Sequence, residues 1–279
     1  MRFSLILSTI ERTDELQCFL ASLCAQTYRD FEVIVVDQNS DDRLTPVLDS
    51  YADRFPITRL HTKTKGASRG RNVGLKHANG DIVGFPDDDC QYPPDLLAAV
   101  ARFFVSHPAR DGFVGRATDA KGKTVMGRFD TRPGPFNKIN AWRRGISFTI
   151  FLRRECAEKA RFDEDIGPGA GTAWGAGEET DYLMRLLDRG ASIHYDPKLV
   201  VVHSPAVPPY NDKAVRKAYA YGCGMGLVIR KHKMPLWFKA KYLVRPLGGA
   251  VLSLAGLNLG KAKFRWNTYR GRLRGLLGD

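Results

Sequence analysis

Ile82-Val83-Gly84-Phe85-Pro86-Asp87-Asp88-Asp89-Cys90 decides the fold: an apolar run that reads as a buried strand ends in three consecutive carboxylates. Acids this close repel one another, and near a core each also loses hydration. A divalent cation at the end of the strand relieves both costs. Hard cations such as Mg²⁺ and Mn²⁺ prefer oxygen ligands, and Mg²⁺ keeps waters and takes substrate phosphates as its remaining ligands. The stretch reads as a metal–diphosphate site at the carboxyl end of a strand, where open α/β sheets bind their ligands. Taken alone, the same three residues serve equally well as caps in a solvated acidic turn before a helix.

The residues on the amino-terminal side repeat the pattern. Residues 3–8 are apolar and β-rich and turn polar at Thr9-Ile10-Glu11-Arg12. Thr13-Asp14-Glu15 reads as a helix start, followed by Leu16, Phe19, Leu20 and Leu23 at helical spacing. Phe31-Glu32-Val33-Ile34-Val35-Val36-Asp37 is a nearly continuous apolar strand ending in an acid, as expected of a parallel strand covered on both faces. Residues 44–54 read as a helix and 57–61 as a short strand. Gly66-Ala67-Ser68-Arg69-Gly70-Arg71-Asn72-Val73-Gly74-Leu75 is a glycine-bearing turn into a helix that stops near Asn79-Gly80. Residues 94–106 form another helix. Strand and helix thus alternate through residue 106, which predicts an open, mainly parallel sheet with helices on both faces. Thr9 with Glu11, Asp37, and Asp87 to Asp89 all fall at strand carboxyl ends. Three polar or acidic ends in one half of a sheet are harder to read as caps than one.

From Gly112 the alternation loosens. Phe113-Val114-Gly115-Arg116 and residues 124–129 read as strands, residues 146–152 as a further one, and 192–195 and 199–203 as the last two. Between them lies a loop of repeated glycine, Gly167-Pro168-Gly169-Ala170-Gly171-Thr172-Ala173-Trp174-Gly175-Ala176-Gly177, leading into Glu178-Glu179-Thr180-Asp181-Tyr182-Leu183. Acids in the first turn of a helix complement its dipole. They also suit a general base presented on a rigid helix beneath a mobile loop. Trp174 reads either as a core anchor or as a platform for a sugar ring. His203 ends an apolar strand and is either a core histidine or a partner of Asp89 around a cation.

The chain's 279 residues are 43% hydrophobic, enough for a substantial core. Its five cysteines form no Cys-x-x-Cys pair, which suits free thiols in a reducing compartment better than disulfides or a zinc site. The opening residues are too short for the apolar region of a signal peptide and read as a first strand. The net charge of +13 is uneven: residues 213–279 hold fifteen Lys or Arg and one acid, whereas residues 1–212 carry a net charge of −1. A basic tail attracts a polyanion. Its apolar residues choose which one. Basic side chains interleave with Trp237, Phe238, Tyr242, Phe264 and Trp266, and the apolar run 246–259 has only fourteen residues, short of the roughly twenty that span a bilayer. The tail reads as lying on an anionic membrane surface rather than crossing it, or as packing on the body of the protein, and nucleic acid is not expected.

Taken in order, these motifs resemble the inverting family 2 glycosyltransferases of the GT-A fold. The carriers are Ser8-Thr9-Ile10-Glu11-Arg12, Ala25-Gln26-Thr27-Tyr28, the strand ending in Asp37 with Ser40 nearby, Gly66 to Gly74, Gly80-Asp81 to Asp89, and Gly177-Glu178-Glu179-Thr180-Asp181. The resemblance spans about residues 3–205. It implies a nucleotide-diphospho-sugar transferase fold: a mixed, mainly parallel sheet flanked by helices. Residues 1–210 would form the catalytic domain, with a nucleotide-binding half at 1–106 and an acceptor-binding half at 107–210. Residues 211–279 would form the helical, membrane-associating tail. By resemblance, Asp37 contacts the nucleotide base, Thr9 and Glu11 belong to the nucleoside pocket, Arg71 lies near the nucleotide, and Asp87 faces ribose or sugar. Asp89, with Asp87 and His203, would hold Mn²⁺ or Mg²⁺, and Asp88 joins the nucleotide-sugar group without an assigned role. Glu179 stands where the family has the Asp of a Glu-Asp pair, the catalytic base, with Glu178 and Asp181 beside it. Trp174 would meet the acceptor.

The implied reaction moves a sugar from a nucleotide-diphosphate sugar to a hydroxyl of a glycan or polyprenyl-linked acceptor. The implied location is the cytoplasmic face of a membrane. A nucleotidylyltransferase would also build a metal site on such a sheet, but it calls for a glycine-rich basic loop after the first strand, where this chain has Thr9-Ile10-Glu11-Arg12-Thr13. A non-catalytic basic membrane-binding module would leave the acidic strand ends without a purpose.

Overall fold

The structure is a computed structural model that describes residues 1–204 and 210–278. Residues 205–209, where the stretch of resemblance ends, and Asp279, the last residue of the tail, lie outside the described residues. The chain divides into two compact units, Met1–Phe162 with Tyr182–Ala206, and Asp163–Asp181 with Val207–Asp279.

The first unit is built on a sheet that the described residues form from nine strands. In chain order its elements are β1 (Phe3–Thr9), α1 (Asp14–Cys24), β2 (Phe31–Asp37), α2 (Thr45–Asp49), β3 (Ile57–His61), α3 (Ala67–Leu75), β4 (Ile82–Gly84), β5 (Cys90–Gln91), α4 (Leu96–Ser106), β6 (Gly112–Thr118), β7 (Gly134–Pro135), β8 (Ile150–Arg153), α5 (Arg154–Ala157), α6 (Glu178–Asp188, in this unit from Tyr182 on) and β9 (Ile193–His203). The strand order is β3-β2-β1-β4-β8-β6-β9-β5, with β7 against β9. The first four strands run parallel, β8 is antiparallel to β4 and β6, and β9 is parallel to β6. Every residue of β2 is buried, as the apolar run predicts for a strand covered on both faces. Glycines let α3 approach β1: a Cβ on Gly70 would collide with Ser8 Oγ, and one on Gly74 with the Ile6 side chain. The spacing of Gly70 and Gly74 places both on one face of the helix.

Four sequence expectations change here. The helix at 44–54 is only α2, because i→i+3 bonds such as Tyr51 N to Leu48 O and Arg54 N to Tyr51 O tighten the rest into turns. Residues 124–129 form no strand. Met126 and Gly127 take positive φ, which breaks extended backbone, and one bridge from Thr118 to Thr124 remains. The strand at 146–152 begins as a 3₁₀ turn over Ser147–Thr149, where the Thr149 amide and hydroxyl both donate to Ile146 O. Finally, 192–195 and 199–203 belong to one strand, β9, whose register to β6 shifts between Val114 and Arg116. Gly115 allows the shift, since the Leu199 carbonyl occupies the place its Cβ would take.

The second unit joins the loop from Asp163 and the first turn of α6 to three helices, α7 (Asp212–Lys231), α8 (Leu236–Ala255) and α9 (Leu259–Leu277). Asn211 caps α7 by accepting from Ala214 N, and Asn258 caps α9 by accepting from Lys261 N. α7 and α9 meet backbone to backbone through glycines. A Cβ on Gly226 would collide with Arg272 O, one on Gly271 with Tyr219 O, and one on Gly275 with Cys223 O. Small residues four apart allow such close approach. Gly226→Val forces the helices apart. We expect it to destabilise this unit by about 1–3 kcal/mol, read as a lower thermal midpoint, with no change if the helices can separate freely.

α8 runs through Pro246, although proline removes an amide donor and leaves the carbonyl four residues earlier without its helical partner. That carbonyl, Tyr242 O, accepts instead from Arg272 Nη1 of α9 at 2.7 Å, and the guanidinium lies 4.9 Å from the Tyr242 ring centroid. Burial lowers the Arg272 pKa, but a guanidinium keeps its charge. Arg272→Met leaves the carbonyl unmet, and we expect a loss of about 1–3 kcal/mol, which Pro246→Ala partly restores in a double-mutant denaturation cycle.

Candidate active site

The carboxyl ends of the parallel strands converge on the acidic stretch. β1 ends in Thr9, whose hydroxyl donates to Asp88 Oδ2 at 2.6 Å. Arg12, just beyond, donates from Nη1 to Asp88 Oδ1 at 2.7 Å and to Asp89 Oδ2 at 2.6 Å, so one guanidinium bridges two of the three acids. Asp87 is held differently: it accepts from buried Arg71 Nη2 at 3.0 Å and from Ser147 Oγ at 3.1 Å. Arg71 also lies over the Phe162 ring at 5.4 Å. Asp88 and Asp89 therefore share Arg12, and Asp87 pairs with Arg71. The mutual repulsion expected from the sequence is answered by Arg12 and Arg71, two cations whose roles differ.

β5 is only two residues long, yet its antiparallel pairing sets Cys90 opposite His203. That register brings Asp89 Oδ1 to 3.2 Å from His203 Nε2. His203 is stacked on Phe148 and its Nδ1 donates to Ser204 O at 2.7 Å, which aims Nε2 at Asp89. Burial raises the Asp88 pKa, and the Thr9 and Arg12 contacts only partly offset this. Burial would raise Asp89 as well, but the His203 hydrogen bond and the Arg12 charge together take it below the usual value. The same hydrogen bond raises His203 against its burial.

A cleft of about 460 Å³ opens beside these groups, lined by Ile10, Glu11, Gln38, Asn39, Ser40, Arg43, His61, Lys63 and Lys65. Glu11 takes a positive φ of 59°, and its amide donates to Asn39 Oδ1 at 2.7 Å. Asp37 is fully buried and stands behind the lining. Its Oδ1 accepts from Asn39 Nδ2 at 2.8 Å and its Oδ2 from Arg59 Nη2 at 2.7 Å. Asp37 therefore shapes the cleft through Asn39 and Arg59. The cations Arg43, Lys63 and Lys65, with His61 among them in the lining, were missed from sequence. Their signal was legible: His61-Thr62-Lys63-Thr64-Lys65 follows β3, one more strand carboxyl end. Arg12, Arg59 and Ser147 were missed as well, because their partners are distant in sequence.

In the second unit, the glycine loop is fastened rather than loose. Gly167 N donates to Trp174 O at 2.8 Å, and Gly175 N donates to Ala220 O of α7 at 3.0 Å. Trp174 is partly exposed. A Cβ on Gly224 would collide with Ala176 O, so the loop backbone rests directly on α7. Of the acids that follow, Glu178 and Asp181 are buried and Glu179 is partly exposed. The Glu178 carboxyl packs on Gly167, where φ is +112° and a Cβ would come within 2.9 Å of it. Asp181, fully buried, meets Lys231 Nζ at 3.0 Å and His232 Nε2 at 2.9 Å at the end of α7. Asp181 is thus engaged in holding the first turn of α6 to α7, and Glu179 is the acid of the three with solvent access.

Among the described residues no three His, Cys, Asp or Glu side chains gather around one point suited to a metal ion. Of the trio named from sequence, Asp89 and His203 come together and Asp87 turns to Arg71 and Ser147. The pair fits a hard cation. Two adjacent ligands of an octahedral ion with bonds of about 2.1 Å sit about 3 Å apart, and Mg²⁺ leaves most positions to waters and phosphates. Nδ1 donates to a carbonyl, the arrangement that frees Nε2 for a metal.

A family model, Glycosyl transferase family 2, matches residues 4–159. An uncharacterized glycosyltransferase of Haemophilus influenzae is 31% identical over 201 residues, which cover 69% of this chain and 64% of that protein. TarS of Staphylococcus aureus, a poly(ribitol-phosphate) β-N-acetylglucosaminyltransferase, is 32% identical over 111 residues, 38% of this chain and 19% of its own length. The matched stretches thus span less than two thirds of either relative. In structure, TarS residues 1–349 in complex with UDP-GlcNAc superpose with a TM-score of 0.62 at 17% identity, covering 97% of this chain and 92% of that one. The mannosyltransferase PcManGT of Pyrobaculum calidifontis, in complex with GDP-Man and Mn²⁺, gives 0.68 at 17% identity, covering 99% and 87%. A sheet of this topology, superposing on these structures, is the GT-A fold. The chain belongs to glycosyl transferase family 2.

Proposed function

We propose that the protein transfers a sugar, with inversion, from a nucleotide-diphosphate sugar to a hydroxyl of a glycan or polyprenyl-linked acceptor. The observation that carries this reading is the register of β5 on β9, which pairs Asp89 with His203 at the end of the sheet that also presents Thr9, Glu11 and Asn39. PcManGT in complex with GDP-Man and Mn²⁺, and TarS in complex with UDP-GlcNAc, support a nucleotide-sugar donor, and the former supports a divalent cation.

Asp89 and His203 would hold the cation, Mn²⁺ or Mg²⁺. When bound, it supplies positive charge to the departing nucleoside diphosphate. The cations Arg43, Lys63 and Lys65 draw the donor's phosphates toward the cleft. Asn39 and Arg59, set by Asp37, shape the place for the base. Asp87, oriented by Arg71 and Ser147, faces ribose or sugar. Glu179 accepts the proton of the acceptor hydroxyl as that oxygen bonds to the anomeric carbon. The bond from that carbon to the diphosphate oxygen breaks, and the diphosphate leaves with the electron pair. Attack from the face opposite the leaving group inverts the centre. Trp174 offers a ring face to the acceptor. All five cysteines are free thiols, which supports work in a reducing cytoplasm on the membrane's inner face.

The test is product analysis with a panel of sugar nucleotides, Mn²⁺ and candidate acceptors. We expect release of nucleoside diphosphate and a product anomer opposite to the donor's by NMR. Retention of configuration, or pyrophosphate release from a nucleoside triphosphate and a sugar phosphate, overturns it.

A further inference from the structure

The second unit carries an apolar surface that its own packing does not use. α8 buries Phe238, Pro246, Gly249, Ala250 and Ser253 on one face. Its opposite face is apolar too: Trp237, Val244, Val251 and Leu252 recur at helical spacing and are exposed, Leu252 at 75%.

The turn that follows is apolar and exposed as well. Leu257 is 87% exposed and Leu259 70% exposed. Leu257 also takes a φ of +55°, the left-handed conformation that glycine adopts without steric cost at the end of a helix. Leucine here sets an isobutyl group at the tip of the α8–α9 hairpin, where local backbone preference favours glycine or asparagine. The surface is framed by positive charge. Lys241 and Arg245 are exposed on the same side of α8, and no acid lies between Lys213 and Gly278. No helix among the described residues is long and apolar enough to cross a membrane.

We propose that the α8 face and the Leu257 tip form a monotopic docking surface for an anionic lipid bilayer. The helix lies along the interface, with Trp237 at headgroup depth and Leu252, Leu257 and Leu259 in the acyl boundary. Lys241 and Arg245 meet lipid phosphates. The surface chooses a bilayer over a protein partner because apolar side chains and unopposed cations alternate along one helix, matching acyl chains beneath anionic headgroups. The proposal stands apart from the transfer chemistry, so nucleotide binding serves as a separate readout.

The test is flotation of the full chain with phosphatidylcholine vesicles, with and without phosphatidylglycerol, comparing wild type with Leu252→Gln/Leu257→Asn. Asparagine suits the left-handed position, so the variant keeps its fold, which circular dichroism and unchanged nucleoside-diphosphate affinity monitor. A second variant, Lys241→Gln/Arg245→Gln, probes the charges. We expect the wild type to bind the phosphatidylglycerol vesicles, the leucine variant to bind them at least tenfold more weakly, and the charge variant to lose the preference for anionic lipid. Equal binding by wild type and the leucine variant overturns the proposal. So does a concentration-dependent dimer of the wild type that the leucine variant abolishes, because the face then belongs to a second copy of the chain.

Discussion

Glu179→Gln lowers kcat by about 10²–10⁴-fold, the usual contribution of a positioned general base, and leaves the affinity for the sugar nucleotide unchanged. Glutamine keeps the size and the helix position of Glu179 and removes only the ability to take a proton. The neighbouring acids cannot replace it. Glu178 is packed on Gly167, and Asp181 is buried against Lys231 and His232. Single-turnover kinetics separate the chemical step from donor binding, which calorimetry measures on the same samples. Full turnover by the variant would remove Glu179 from the reaction. Glu178→Gln offers a contrast: its carboxyl is buried, so its loss falls first on the stability of the glycine loop and shows in the thermal midpoint.

Asp89→Asn is expected to lower cation-dependent turnover by about a hundredfold or more, because a charge aimed at the leaving group acts mainly in the transition state. The substitution keeps a side-chain oxygen beside His203 and Arg12 and removes the charge that both require. Titration of Mn²⁺, followed by its electron-spin resonance signal in the presence of nucleoside diphosphate, reads the effect on the cation directly, without reference to turnover. Asp88→Asn makes the companion measurement. Asp88 is buried between Thr9 and Arg12, so its replacement affects the placement of Arg12 and the stability of the β1 end more than cation affinity.

The first half of the molecule was legible because its signals are local. Apolar runs such as Phe31–Asp37 specify a parallel strand by themselves, and the acids at their ends mark the ligand edge of the sheet. The 124–129 and 146–152 segments were less legible, because positive φ at Met126 and side-chain bonds at Thr149 override a β-rich composition. At the candidate site, residue types could be read but pairings could not. Asp87, Asp88 and Asp89 look alike in sequence, and only tertiary geometry gives them three different partners: Arg71 with Ser147, Thr9 with Arg12, and Arg12 with His203. Asp37, read as a contact with the base, has its carboxyl bonded to Asn39 and Arg59, partners that the sequence did not name. The tail was legible in charge and apolar content but not in architecture. Glycines at 222, 226, 271 and 275 give no periodic apolar signal, yet they set the α7–α9 contact.

The central claim is that a nucleotide sugar and a divalent cation bind together at the carboxyl ends of the strands, with Asp89 as a protein ligand. The most direct measurement is calorimetric titration of wild type and Asp89→Asn with a panel of nucleotide-diphosphate sugars, in Mn²⁺ and again in EDTA. One donor class should bind the wild type with Mn²⁺ and lose most of its affinity in EDTA, and Asp89→Asn in Mn²⁺ should behave like the wild type in EDTA. Donor binding that is equally tight in both proteins and indifferent to the cation would contradict the account.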